Sequence, residues 1–556
     1  MDAPFSFETR AAYLDAMAAE PVDLLIIGGG VTGAGIARDA AMRGIRTAIV
    51  DKGDFGSGTS SRSSRLVHGG LRYLEHGHLR LVFEASRERR ILQKIAPHLV
   101  WPRSFLFPVH RGSRVPRWKV EAGLWLYDLL ALFRNVRRHE MLGKRAMLRA
   151  EPGLRSKGLK GGARYFDAQC DDARLALANV RDATRHGALA ANYAQVDHLE
   201  TADGRTGGAH VTDLVTGVRH AIRALTVVNA TGPWSDELRA SEGERPVLHC
   251  TKGAHVVVSR RRLGNHEALI LTSPIDGRVM FMVPWGSITY VGTTETECAH
   301  RPDEVRADAD DVIYLLRSVN AHFPEARLTF DDVLATWAGV RPLLRQAESE
   351  DPRAVSREHA ILEGGTGLIS IVGGKLTTYR KMAAQVVDLV CKRLRELDGR
   401  PLPPRARTHK LPLPGGEMRD LDLLIDSTEA EGLHRTVATH LVHTYGSETA
   451  AVARLAGSEP AMAEAIVPGH ATIWAELVHA MRREMAITLG DLLIRRTHLF
   501  YVAPDQTLER APDVAQLATQ EMGWDDARRN AELDAYRFEV ARSVAFREDV
   551  WGQAEG

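Results

Sequence analysis

The stretch "VDLLIIGGGVTGAGIARDAAMRGIRTAIVDKGD", residues 22–54, decides the fold. Residues 22–27 form a short apolar run that ends in glycines, which is typical of a buried strand. The Ala-rich residues 33–43 are predicted to be helical, and Gly44 is expected to end that helix. Residues 46–50 then form a second strand. Together these elements predict one β-α-β unit near the start of the chain.

Three glycines, Gly28, Gly30 and Gly33, form the pattern G-x-G-x-x-G between the first strand and the helix. Glycines there allow a tight turn and a close approach to a pyrophosphate, which the helix N-terminus then binds through free N–H groups. Asp51, at the end of the second strand, is placed to accept hydrogen bonds from an adenosine ribose. A lone glycine triplet is weak evidence, but a complete β-α-β unit with the acid predicts a dinucleotide cofactor.

Three further segments favour FAD over NAD: "GDFGSGTSSRSSR" (53–65), "VVNATGPW" (227–234) and "GLISIVGGKLTTYRKMAAQ" (367–385). The first is small and rich in hydroxyl groups, so its backbone can follow an extended diphosphate and a flavin edge. In the last, Gly373 and Gly374 would let a helix N-terminus approach the cofactor and stabilise negative charge on a reduced flavin. Because these segments are spread along the chain, they indicate a flavoprotein with an interleaved substrate domain.

Several motifs resemble the FAD-dependent glycerol-3-phosphate dehydrogenase family, the aerobic respiratory enzymes: "SSRLVHGGLRYLEH", "FDAQCDDARLALAN", "VNATGPW", "KGAHVVV", "GVRPL" and "GGKLTTYRK". The resemblance runs from about residue 22 to residue 416, with a weaker match in "HTYGS" and "LGDLLIRRT". It implies oxidation of sn-glycerol 3-phosphate to dihydroxyacetone phosphate, with hydride passing from C2 to FAD and electrons passing to a membrane quinone. We expect non-covalent FAD and a homodimer.

The resemblance implies an α/β fold in which a glutathione-reductase-type, Rossmann-like FAD domain is interleaved with an α+β substrate, or cap, domain. We assign residues 1–85, 165–240 and 340–399 to the FAD-binding domain, and residues 86–164 and 241–339 to the cap domain. The Pro-rich residues 400–416 are predicted to form a linker. A helical domain is expected at residues 417–556.

The substrate needs two kinds of partner, because its phosphate dianion favours Arg and Lys and its secondary alcohol needs a base for the hydroxyl proton. By resemblance, the pocket is lined by Arg72, Tyr73, His255, Arg341 and Lys375. We expect His255, assisted by Arg341, to take the C2 hydroxyl proton. Arg72, Tyr73 and Lys375 would bind the phosphate, although these roles could be exchanged because the sequence gives no distances.

His68 is the rival base and is expected to lie near the flavin. The predicted cofactor residues are the small, hydroxyl and glycine positions of the motifs above: Gly28, Gly30, Gly33, Asp51, Ser60, Ser61, Ser63, Ser64, Arg65, Gly69, Gly70, Val196, Ala230, Gly232, Gly373, Gly374, Lys375, Leu376 and Thr377. No metal site is predicted. The four cysteines form no C-x-x-C pair, so we expect neither zinc nor disulfides, which fits a reducing cytosol.

The chain carries 72 basic and 71 acidic residues, so its overall charge gives no argument for nucleic acid. Residues 111–145, however, hold nine Lys or Arg against three acids, interleaved with aromatic residues. Their apolar part, "GLWLYDLLALF", is too short to span a bilayer. Such a stretch can lie on an anionic membrane surface, or it can be a cap-domain helix with a solvated basic flank.

The acidic N-terminal segment lacks the pattern of a signal peptide. We therefore expect a cytoplasmic enzyme, peripheral on the inner face of the cytoplasmic membrane. Three alternatives stay open: a related glycerol-3-phosphate oxidase that uses oxygen, an amine or amino-acid oxidase on the same fold, and a catalytically silent FAD-binding scaffold.

Overall fold

The computed structural model describes residues 5–70, 74, 78–298, 300–345, 359–418 and 420–549. Its strands, numbered in chain order, are β1 Val22–Ile27, β2 Thr47–Val50, β3 Leu66–Val67, β4 Val100–His110, β5 Glu140–Leu142, β6 Leu159–Cys170, β7 Leu189–Ala191, β8 Ala194–Ala202, β9 Arg205–Asp213, β10 Arg219–Asn229, β11 Leu248–Ser259, β12 Ala268–Thr272, β13 Val279–Trp285, β14 Ile288–Gly292, β15 Thr296–Glu297, β16 Val333–Leu344, β17 His359–Glu363 and β18 Ile369–Gly373.

The α-helices are α1 Phe7–Ala19, α2 Val31–Met42, α3 Leu79–Ile95, α4 Arg117–Leu130, α5 Lys144–Ala150, α6 Asp172–Arg185, α7 Ser235–Ala240, α8 Arg260–Leu263, α9 Ala309–His322, α10 Tyr379–Asp398, α11 Leu421–Glu429, α12 Arg435–Tyr445, α13 Thr449–Ala456, α14 Trp474–Glu484, α15 Leu499–Val502, α16 Ala511–Met522, α17 Asp526–Val544 and α18 Phe546–Asp549. Asp491–Arg496 is a π-helical turn between α14 and α15. None of the helices described here combines the length and apolar content needed to cross a bilayer.

The first sheet holds five parallel strands in the order β18-β10-β1-β2-β7. β17 adds an antiparallel edge, and the β8-β9 hairpin pairs with the first half of β10. β1 and β2 are almost entirely apolar because both faces of a parallel sheet are covered. The register Ile27↔Asn229 brings the carboxyl ends of β1 and β10 to one edge. Ligands of such sheets bind at this edge.

The predicted β-α-β unit is confirmed, with small differences at its bounds. The first strand is Val22–Ile27 as predicted, but the helix begins at Val31, two residues before the predicted start. Gly44 follows the end of the helix with a φ of +77°, a conformation that favours glycine. The second strand begins at Thr47 rather than at residue 46.

The second sheet runs in the order β15-β11-β14-β13-β12-β4-β6-β3, with β16 on the free side of β11 and β5 on β6. It is antiparallel except for β4 and β12, which pair in parallel. The predicted domain boundaries at 165 and 340 fall inside β6 and β16, both of which belong to this sheet. We keep these boundaries as predictions.

The helices α11 to α18 follow residues 400–416, which contain no helix or strand. Of these, α14 to α17 pack against the second sheet through a shared apolar core that includes Trp337 of β16 and Tyr501 of α15. The C-terminal helices therefore lie directly against the sheet that carries the candidate site.

Candidate active site

The glycine turn after β1 fits closely against the first residues after β10. Gly28 has a φ of +106°, and a Cβ atom there would lie 2.6 Å from the carbonyl oxygen of Ala230. A Cβ atom on Gly33 would lie 1.9 Å from the carbonyl oxygen of Gly28. No side chain fits at either position, so these two glycines allow α2 to begin against the turn.

The N-terminus of α2 is open to an anion. Its cap residue, Gly30, offers no side chain to the first N–H groups. The N–H of Val31 donates to Ser60 Oγ at 2.9 Å, which fixes the loop of residues 53–65 beside the helix. An uncapped helix start with a glycine turn is the arrangement that binds a pyrophosphate, so these residues fit a dinucleotide cofactor.

Asp51 lies at the end of β2 and closes the glycine turn. Its Oδ2 accepts a hydrogen bond from the N–H of Gly29 at 2.6 Å, and its Oδ1 accepts one from Gly53 at 2.8 Å. Burial raises the pKa of Asp51 to about 6, although these two bonds oppose the shift. The carboxylate thus organises the turn; the predicted ribose contact stays a prediction.

The later cofactor segments reach the same edge of the sheet. The N–H of Ala230 donates to the carbonyl of Ile27 at 2.8 Å, and Gly232 begins a 3₁₀ turn with a φ of +60°. After β18, Gly373 and Gly374 both have positive φ, +73° and +96°. Residues Leu376–Thr378 form a 3₁₀ turn that leads into α10, with Lys375 as its cap. The predicted strand, glycine turn and helix start are confirmed.

His255 of β11 lies in a buried aromatic setting. Its Nε2 shares a hydrogen bond with Ser64 Oγ at 2.8 Å, and its ring stacks on Trp337 with the centroids 4.8 Å apart. Nδ1 has no hydrogen-bond partner among the described residues. Burial, together with the nearby charges of Arg341 and Arg65, lowers the pKa of His255 to about 3. The imidazole is therefore neutral at pH 7.

Arg341 of β16 is held by the wall of the site through three hydrogen bonds. Its Nη2 donates to Thr293 Oγ1 at 2.8 Å and to the carbonyl of Thr294 at 3.1 Å. Its Nη1 donates to the carbonyl of Lys252 at 3.3 Å. A Cβ atom on Gly253 would lie 2.3 Å from Nη2, so that glycine makes room for the guanidinium.

The segment from Ser64 to Gly70 connects His255 with the turn that begins at Lys375. Ser64 contacts His255, whereas the N–H of His68 donates to Thr377 Oγ1 at 3.3 Å. β3, between these two residues, pairs with β6 and holds the segment in place. The structure thus brings together His255, Arg341, His68 and the Lys375 turn.

Known proteins of similar sequence match almost the whole chain. Residues 23–380 match the family described as FAD dependent oxidoreductase, and residues 406–529 match the C-terminal domain of alpha-glycerophosphate oxidase. The aerobic glycerol-3-phosphate dehydrogenase of Bacillus subtilis (strain 168) is 36% identical over 544 residues, which are 96% of this chain and 97% of that protein. The Staphylococcus aureus (strain MRSA252) protein of that name is 36% identical over 94% of each chain.

Among solved structures, the glycerol-3-phosphate dehydrogenase from Bacillus halodurans, complexed with FAD, matches with a TM-score of 0.81 and 33% identity. The match covers 97% of this chain and 98% of that one. The chain belongs to the FAD-dependent glycerol-3-phosphate dehydrogenase family. The predicted fold class, cofactor and enzyme class are thereby confirmed.

Other residues that the sequence predicts to bind the cofactor form hydrogen bonds within the protein or are buried. Ser63 Oγ donates to Asp172 Oδ2 at 2.7 Å. The N–H of Gly69 donates to the hydroxyl of Tyr127 at 2.9 Å. Gly70 is buried with a φ of +81°. Ser61 is buried in the 3₁₀ turn Thr59–Ser61.

Leu376 packs against the core cluster that contains Val31 and Val67. Val196 of β8 packs against the apolar cluster that contains Val50 and Ala191, the last residues of β2 and β7. Arg72 and Tyr73 lie outside the described residues, so their substrate contacts stay predictions.

The sequence did not predict what surrounds Arg65. Its guanidinium lies 4.1 Å from the ring centre of Trp285 and 5.2 Å from that of Tyr501, in a cage closed by the C-terminal helices. Its carboxylate neighbour is Asp172, at 3.8 Å. The C-terminal domain thus closes the side of the candidate site on which Arg65 lies.

A second unpredicted contact joins the C-terminal domain to the loop of residues 53–65, called the cofactor loop below. Asp54, three residues after Asp51, accepts hydrogen bonds from Arg495 at 2.7 Å and from Arg496 at 2.7 and 3.0 Å. Burial raises the pKa of Asp54, but the two guanidinium groups outweigh it and lower the pKa to about 2. The motif "LGDLLIRRT" contained this signal, although nothing in it names the partner.

His255→Gln is expected to make the protein less sensitive to acid. The neutral imidazole is favoured in the folded protein, whereas the unfolded chain binds a proton below about pH 6.5. The wild type therefore loses stability as the pH falls from 6.5 towards 3, by on the order of 2 kcal/mol at pH 4.5 from this group alone. Thermal unfolding at pH 7 and pH 4.5 should show a smaller drop for His255→Gln. The exposed His198→Gln serves as control; equal drops in all three would contradict the assignment.

Proposed function

We propose that this chain oxidises sn-glycerol 3-phosphate to dihydroxyacetone phosphate and passes the electrons to a membrane quinone. The observation that carries the proposal is the neutral, buried His255 beside the fixed cation of Arg341, close to the segments that line the cofactor cradle. Bound FAD would supply the hydride acceptor for C2 of the substrate. The names of the relatives support the substrate.

His255 is the group that we assign to the C2 hydroxyl proton. A neutral imidazole can accept a proton at pH 7, and Ser64 fixes its orientation through Nε2. Nδ1 is buried and has no hydrogen-bond partner among the described residues. His68 stays the alternative base, since it lies beside Thr377.

Lys375, with Arg72 and Tyr73, is assigned to the phosphate as predicted, and Arg341, which is predicted to assist His255, is assigned to the phosphate as well. Arg341 is suited to this because its guanidinium is held by three bonds to the protein before any substrate arrives. A cation fixed in advance loses little conformational freedom on binding. The homodimer is retained as part of the proposal, to be tested by sedimentation.

The absorbance spectrum of the purified holoenzyme tests the function. Anaerobic addition of sn-glycerol 3-phosphate should bleach the flavin band, whereas sarcosine and D-alanine should not. If no substrate bleaches it, the chain is a silent scaffold, and bleaching by an amine would favour an amine oxidase. Steady-state reduction of a quinone with little hydrogen peroxide would support the dehydrogenase over the oxygen-using oxidase.

The membrane part of the proposal rests on an exposed apolar stripe on and after α4. Its members are large side chains at 44–71% exposure: Trp118, Trp125, Leu129, Leu132, Phe133 and Val136. Trp118, Trp125 and Leu129 are spaced by seven and four residues, which places these three on one face of α4, whereas the other three follow the end of the helix. Exposed arginines flank this face on both sides, at residues 111–117 and 134–138. An apolar face with basic flanks fits an anionic membrane surface, here the inner face of the cytoplasmic membrane.

The opposite face of α4 reaches the candidate site. Tyr127 is buried, and its hydroxyl donates to Asp167 at 2.8 Å while accepting from the N–H of Gly69. Arg89 completes this cluster. A helix that rests on the membrane would thus also support the segment that carries His68, which places the site near a quinone.

Replacing Trp118 and Trp125 together by serine is expected to lower vesicle binding about 30-fold, since each substitution removes buried apolar area that contributes about 1 kcal/mol to binding. Flotation with vesicles of anionic phospholipid measures the bound fraction. Phe538→Ser, at a side chain 66% exposed on α17, is the matched control and should bind as the wild type does. Unchanged binding of the double variant would contradict the membrane role of α4.

A further inference from the structure

A cavity of about 260 Å³ lies between the cofactor loop, the edge of β16 and the C-terminal helices. The cofactor loop contributes Ser61 and Arg62, and α17 contributes Glu539 and Arg542. The lining includes neither His255 nor Arg341 nor Lys375. The cavity is thus separate from these three residues, although Trp337 and the predicted cofactor residue Ser61 border it.

The charged side chains of the lining are predominantly basic: Arg62, Arg306, Arg495, Arg542, Glu532 and Glu539. Most have partners, as Arg306 pairs with Asp549 at 2.7 Å and Arg495 with Asp54 at 2.7 Å. Both glutamates are also paired, with Arg528 and Arg542. The acids that face the cavity are therefore already neutralised by neighbouring arginines.

Arg62 is different, because its guanidinium has no hydrogen bond or ion pair within the described residues. It is partly buried and faces the cavity. Burial lowers the pKa of Arg62, and the charge of Arg542 lowers it further, whereas Glu539 and Tyr501 act in the opposite direction. The N–H donors of this guanidinium face the cavity without a protein acceptor among the described residues, and an anion could accept from them.

We propose that this cavity binds a small phosphate dianion, either free phosphate or a small phosphate monoester, through Arg62. A guanidinium matches a phosphate through two parallel hydrogen bonds. The hydroxyl of Tyr501, which has no hydrogen bond within the described part of the chain, is a further donor. Phe500 and Tyr536 supply apolar walls on which the carbon part of an ester can rest.

The position of the cavity gives such a ligand access to the cofactor loop. Arg62 follows the turn Thr59–Ser61, and Ser60 in that turn holds the first N–H of α2. On the other side, Thr59 Oγ1 donates to the carbonyl of Val340, next to Arg341. An anion bound to Arg62 would therefore tie the C-terminal helices to the loop that contacts the cofactor.

Equilibrium dialysis of the holoenzyme against radiolabelled inorganic phosphate tests the proposal. The wild type is expected to bind two phosphates per chain, one in the cavity and one at the substrate phosphate position. Arg62→Gln should lose the first, and Arg341→Gln should lose the second. The two variants therefore test the two sites separately. If Arg341→Gln still binds two phosphates, the proposed substrate position is wrong, but the cavity site is still tested by Arg62→Gln.

Glu539→Gln provides a result that misfolding cannot imitate. Removing this negative charge beside Arg62 should tighten the cavity site several-fold, whereas Tyr501→Phe should weaken it several-fold. Arg219→Gln, at an exposed arginine, is the control and should change nothing. A parallel titration with glycerol 2-phosphate separates an ester site from a phosphate site. Unaltered phosphate stoichiometry and affinity in Arg62→Gln and Glu539→Gln would overturn the proposal.

Discussion

Gly33→Ala is expected to yield a protein that no longer retains its FAD. The new Cβ atom would lie 1.9 Å from the carbonyl oxygen of Gly28, which is backbone and cannot rotate away. α2 and the glycine turn must then separate, and forced backbone shifts of this kind cost about 1–3 kcal/mol or more. Because the turn and the helix start together cradle the pyrophosphate, we expect FAD to bind about 100-fold more weakly.

The flavin-to-protein absorbance ratio of the purified protein measures this loss, and titration with added FAD gives the affinity. Gly123→Ala is the matched control, since Gly123 also lies in a helix, α4, and an added Cβ atom there meets nothing within 4 Å. That variant should keep its FAD and gain a little helix stability. Full FAD content in Gly33→Ala would show that the cradle does not depend on this contact.

The part of the molecule that could be predicted from the sequence is the part that local patterns determine. A strand, a glycine turn and a helix lie within 21 residues from Val22 to Met42, and each has a period or a turn residue that identifies it. The same holds for the turn at Gly373 and Gly374. The bounds shifted by one or two residues because helix ends depend on caps rather than on periodicity.

The contacts that could not be predicted join distant parts of the chain. Asp54 and Arg496 are separated by 442 residues, and Ser64 and His255 by 191. An arginine in a motif looks the same whether it faces solvent, a substrate or a buried aspartate. Arg65 illustrates this, since the cofactor motif predicts a flavin neighbour and the structure encloses its guanidinium in aromatic rings.

These distant contacts also assign a role to the C-terminal helices, for which the sequence offered none. They neutralise Asp54, cover Arg65 and close the cavity at Arg62. Each of these three residues belongs to the loop between Asp51 and β3. The C-terminal domain therefore stabilises this loop.

Arg341→Ala is expected to lower kcat/KM for glycerol 3-phosphate by about 100- to 1000-fold while FAD content stays unchanged. A charge-assisted contact to a phosphate contributes on the order of 3 kcal/mol, which falls in this range. The guanidinium is already held in place by Thr293, Thr294 and the carbonyl of Lys252. Alanine at this position removes that fixed positive charge. Arg341→Lys keeps the positive charge without the planar guanidinium. Its kcat/KM should therefore lie between those of the wild type and Arg341→Ala.

A second readout separates loss of the cation from a general disturbance of the site. The charge of Arg341 lowers the pKa of His255, so its removal should let that pKa rise and move the acidic limb of the kcat/KM profile to higher pH. Arg345→Ala, at the exposed residue that follows the same strand, should change kcat/KM by no more than about twofold and should leave the pH profile unchanged. If Arg341→Ala retains the wild-type KM, kcat and pH profile, Arg341 contacts neither the substrate nor the base.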